Sequence, residues 1–80
     1  MKRFDKCLEL ARAYYAAGNL AGGVLHIVLD DGNVEDAHID FCEELARDEA
    51  AQSKMALEII ALLRKMPMAE RRRIHKYRPR

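Results

Sequence analysis

The sequence has no tryptophan, two cysteines and two prolines, and only 6% of its residues are aromatic. A single pair of thiols, Cys7 and Cys42, cannot build the multiple-disulfide framework that lets very small secreted domains do without a large core. No apolar run approaches the roughly 20 residues of a membrane span. Behind Met1 come Lys2, Arg3 and Asp5, without the apolar stretch that opens a secretory signal. The expectation is a cytoplasmic protein with both cysteines reduced and no membrane contact. At 80 residues there is room for neither a barrel nor a dinucleotide-binding unit with a second domain. Four glycines and no repeat exclude fibrous and low-complexity classes.

What is present is a globular composition, 50% hydrophobic and 34% charged. A chain of this length buries only about 60% of its unfolded surface, which gives it reason to associate with copies of itself. Residues 1–80 read as one helical domain, with 68–80 a basic C-terminal helix and tail.

Net charge is also nearly lacking, at +1, but by cancellation. Positions 30, 31, 35, 36, 40, 43, 44, 48 and 49 are acidic in a stretch whose one basic residue is Arg47. Positions 64, 65, 71, 72, 73, 76, 78 and 80 are basic in a stretch whose one acid is Glu70. The two segments can pair within one chain or between chains.

Phe4, Cys7, Leu8, Ala11, Tyr14 and Tyr15 recur at three- and four-residue spacing, predicting a helix over 2–17. Val24 to Leu29, VLHIVL, is rich in β-branched residues, but no second run could pair with it, so a short helix is preferred to a strand whose backbone would stay unsatisfied. An intermolecular strand is the alternative. His26 and Asp30 then share one side, and Gly32 is the C-terminal cap. Asn33 reads as the N-cap of a third helix over 34–49, with Val34, Ala37, Phe41, Leu45 and Ala46 inward and His38 and Cys42 mid-face. A fourth helix over 51–66 carries Met55, Ile59, Leu62, Leu63 and Met66 along a stripe. Pro67 ends it, and 68–77 is a short basic fifth helix. The fold class is therefore all-α, a small bundle of four to five short helices, expected to be oligomeric.

Polar residues cluster around the second helix. A Gly22–Gly23 pair before a helix exposes backbone N–H groups at the positive end of the dipole, the arrangement that holds phosphates. His26 with Arg71, Arg72 and Arg73 would complete an anion site. The spacing matches neither a P-loop nor a dinucleotide fingerprint, and a simple turn allowing close helix approach is the plainer reading of the glycines. His26–Asp30 and His38–Cys42 are pairs at ligand spacing for zinc, but one is expected outward and the other inward, so no metal site is assigned. Asp30, Asp31, Gly32 and Asn33 open like a calcium loop whose later ligands do not follow. His38 could be an oriented base but reads better as a core histidine. The tail RRRIHKYRPR suits phosphates, yet a pI of 7.8 and the acidic third helix argue against nucleic acid.

The stretch AGGVLHIVLDDGNVEDAHIDFC, with MPMAERRRIHKY, resembles small proteins encoded by phages and prophages, over somewhat more than half the chain. That group passes on no activity and no functional residue. The resemblance implies a context in which small proteins block a host defence protein or sequester a nucleotide signal.

The expected function is non-enzymatic. It is sequestration of an anionic, nucleotide-like ligand in a helical homo-oligomer, with Gly22, Gly23, His26, Asp30, His38, Arg71, Arg72 and Arg73 as candidate ligand-binding residues and no cofactor. The alternative is an inhibitor that docks the acidic face, Asp36, Asp40, Glu43, Glu44 and Asp48, on a basic host protein that itself binds nucleic acid. A metal-dependent enzyme is the third reading.

Overall fold

The computed structural model describes residues 2–17, 24–48 and 53–76, the side chains of 53, 75 and 76 aside. These residues form α1 (Arg3–Ala16), α2 (His26–Leu29), α3 (Asp36–Asp48), α4 (Ser53–Arg64) and α5 (Met68–Lys76), with no strand among them. The chain is thus all-α, and the VLHIVL segment is a turn leading into a single helical turn. None of the described helices is long and apolar enough to cross a membrane.

The core gathers around α4, whose Ala56, Ile59, Ile60 and Leu63 are all buried between α1 and α3. From α1 come Cys7, Ala11 and Tyr14, three of the residues that the helical spacing selects, with Phe4, Leu8 and Tyr15 partly buried beside them. Val28 and Leu29 of α2 and Ile74 of α5 close the ends. Gly32 lies at φ 75° and lets the chain reverse after α2: its N–H reaches the Val28 carbonyl, and Asn33 N–H reaches that of Ile27. Pro67 stops α4 and starts α5, its carbonyl accepting from Glu70 and Arg71 N–H.

The third helix corrects two expectations. It begins at Asp36, so Asn33 is not its cap. Val34 is buried ahead of the helix, and the Glu35 carbonyl takes the first amides, those of His38 and Ile39. Its buried stripe is Ile39, Cys42 and Ala46, while Ala37, Phe41 and Leu45, expected inward, face out. At about 100° per residue the helix carries two apolar stripes, 39–42–46 and 37–41–45. The acids Asp40, Glu44 and Asp48 lie beside the second. Desolvating them would cost more than burying Phe41 and Leu45 gains, so the stripe of smaller residues turns to the core.

Candidate functional site

Gly22 and Gly23 lie outside the described residues. The remaining candidates fall into separate places.

Arg71 belongs to the interior. Although it sits in a run of three arginines, it is 6% exposed. Its Nε donates to the Leu63 carbonyl at 2.7 Å, Nη1 to the Val34 carbonyl at 2.9 Å and to Asp36 Oδ1 at 2.8 Å, and Nη2 to the Arg64 carbonyl at 3.5 Å. One guanidinium thereby bonds carbonyls at the end of α4 and before α3; that of Leu63 accepts from Met66 N–H as well. Arg73 lies over the Phe4 ring, 4.5 Å from its centroid, holding α5 to α1 together with an Arg3–Glu70 pair at 2.8 Å. Arg72 is exposed.

The acidic and basic segments meet within one chain. Besides Asp36–Arg71, Arg64 Nη2 lies 2.7 Å from Asp40 and 3.2 Å from Glu43. The hydrogen bond with Asp40 and the charge of Glu43 raise the Arg64 pKa further.

His26 and Asp30 are brought together as their spacing implied, with His26 Nδ1 2.8 Å from Asp30 Oδ2. A carboxylate only accepts, so Nδ1 is the donor of this bond, and in the neutral ring the lone pair is on Nε2. Asp30 Oδ1 accepts from the Tyr15 hydroxyl at 2.7 Å, which ties the cluster to α1. Asp31 Oδ2 lies 3.7 Å from His26 Nε2. His26 is therefore flanked by two carboxylates, surroundings that repel an anion. His38 is partly buried, and its Nδ1 is enclosed without a hydrogen-bond partner.

Both thiols are interior. Burial, with a smaller contribution from Glu70, pushes Cys7 up to about 12. Burial also raises Cys42 and the Tyr14 hydroxyl. None of the three is a ready nucleophile near neutral pH.

The acidic face of α3 was read in the sequence as a docking surface, but the exposure of Phe41 and Leu45 beside those acids was not. Phe41 is 48% exposed and Leu45 37%, the two exposed large hydrophobics among the described residues. They stand one turn apart, with exposed Ala37 a turn before them and exposed Asp40, Glu44 and Asp48 alongside. The signal was available: these acids share a side of the helix with Phe41 and Leu45 and not with Ile39 and Ala46.

Compared with protein-family models, curated proteins and solved structures, the chain matches none.

Proposed function

We propose that the chain is a non-enzymatic interaction protein that docks a basic protein surface on the outer face of α3. The observation that carries this reading is the exposure of Phe41 and Leu45 on one stripe among acids. Apolar anchors with exposed acids along one side suit a partner that offers a hydrophobic pocket bordered by lysine or arginine. Self-pairing through this face would set Asp40, Glu44 and Asp48 against like charges, which favours a different partner over a second copy. Nucleotide sequestration fares less well: Arg71 is committed to the fold and His26 stands between carboxylates. The resemblance to small phage proteins makes a host protein the natural partner. One face of a helix about 20 Å long gives a small, transient interface.

Nuclear magnetic resonance titration with a synthetic amphipathic Leu/Lys helix tests the reading. Shift changes should concentrate on residues 37–48 and vanish with a Leu/Glu helix. Phe41→Ser, on an exposed residue, should weaken binding about tenfold, or about 1.4 kcal/mol, while the fold stays intact. Binding that maps to another face, or is indifferent to Phe41, overturns it.

A further inference from the structure

We propose that His26 and Asp31 form half of a zinc site, which a second copy of this chain completes. The inference is independent of the α3 face.

The His26 ring is oriented as a metal ligand should be. Its Nδ1–H is fixed by Asp30 at 2.8 Å, and Asp30 is fixed in turn by the Tyr15 hydroxyl at 2.7 Å. A carboxylate that holds one imidazole nitrogen sets the tautomer, aims the other nitrogen outward and raises its basicity, the usual outer shell of a zinc-bound histidine. An isolated surface histidine needs no such two-step support from a neighbouring helix.

The outward nitrogen faces a second donor at ion-sized separation. His26 Nε2 and Asp31 Oδ2 are 3.7 Å apart, too far for a hydrogen bond. An ion about 2.0–2.1 Å from the nitrogen and about 2.0–2.2 Å from the oxygen would span that gap at an angle of roughly 125°. A small rotation of Asp31 brings this to the tetrahedral value. Both groups are reachable, the side chains being 36% and 50% exposed. The single turn of α2 and the reversal at Gly32 hold the two residues on the same end of the fold.

Two donors do not make a zinc site, and no group of three or more His, Cys, Asp or Glu among the described residues is placed to hold an ion. A two-fold pairing of chains supplies the rest: two imidazoles and two carboxylates, four ligands whose two negative charges balance Zn²⁺. The mixed nitrogen and oxygen set suits zinc over magnesium or calcium, which prefer oxygen alone. Association through a metal would also give so short a chain the additional buried surface that it lacks.

The test adds zinc chloride to metal-free full-length chain and follows mass by light scattering and stoichiometry by calorimetry. The expected result is a shift from 9.2 kDa to twice that mass, with one zinc per two chains, reversed by chelator and not produced by magnesium or calcium. His26→Ala and Asp31→Asn should abolish the shift with unchanged circular dichroism. Tyr15→Phe leaves every donor in place and should weaken zinc binding by about 10–100-fold. An absence of binding at 100 μM zinc would overturn the proposal, as would zinc uptake or dimerisation that survives His26→Ala.

Discussion

Arg71 and His26 each pair with a carboxylate, yet their surroundings differ in kind. Around Arg71 the acceptors are three backbone carbonyls and one carboxylate, and the guanidinium is shut in; it works there as a permanent staple. Around His26 the acceptors are carboxylates, the site is half-open, and one ring nitrogen faces a gap. The same chemical vocabulary thus gives architecture where the charged group is buried and bonded to the backbone, and availability where one group is oriented but not closed off.

The contrast is broken most directly at Arg71. Arg71→Met strips the Val34 carbonyl of its donor in a buried site and leaves the Leu63 carbonyl with the Met66 N–H alone; it should cost about 3 kcal/mol, lowering the melting temperature by roughly 10–20 °C. Arg71→Lys should recover only part of this, because an ammonium cannot reproduce the planar fork. A thermal melt within 3 °C of the parent would remove the distinction.

The closed interior should also reveal itself at alkaline pH. Cys7 titrates near 12 when folded, against 9.0 for a free thiol, so between those values the folded chain holds a proton that the unfolded chain has lost. The stability this contributes is fully present below pH 9 and falls as pH rises, by up to about 1.4 kcal/mol per unit from this one group. Cys42 and Tyr14 act in the same direction. Urea midpoints measured from pH 8 to 10.5 should decline, and Cys7→Ala should flatten the slope.

Smaller effects belong to the open cluster. Tyr15→Phe removes one hydrogen bond to Asp30 and should cost about 1 kcal/mol in urea unfolding. His26→Ala without metal, and Arg64→Ala, touch exposed pairs and should each cost under about 1 kcal/mol, with the Arg64 effect shrinking in 0.5 M salt. A His26→Ala loss as large as that of Arg71→Met would show His26 to be structural as well.

Much of the fold was legible because it is local. The three-and-four spacing of α1, the stops at Gly32 and Pro67, and the helical state of VLHIVL follow from residues within a turn or two of one another. The phase of α3 was misread because Phe41 and Leu45 carry more apolar weight than Cys42 and Ala46; reading the acids along with the apolar residues corrects it. Arg71 hid in a basic run, although its three-residue spacing from Met68 and Ile74 puts it on their side of α5. The Tyr15–Asp30 bond, fifteen positions apart, and the 3.7 Å separation at Asp31 depend on how helices dock, which no local pattern encodes.

The staple at Arg71 has a consequence for synthesis. Asp36 meets its partner only after 35 further residues, so a nascent chain that has already formed α3 and α4 still leaves the carbonyls of Val34 and Arg64 without their Arg71 donor. Until α5 emerges from the ribosome, those groups must be hydrated and the helix ends loosely held. Docking of α5 is then what closes the junction between α3 and α4, because Arg71 is the side chain that reaches both.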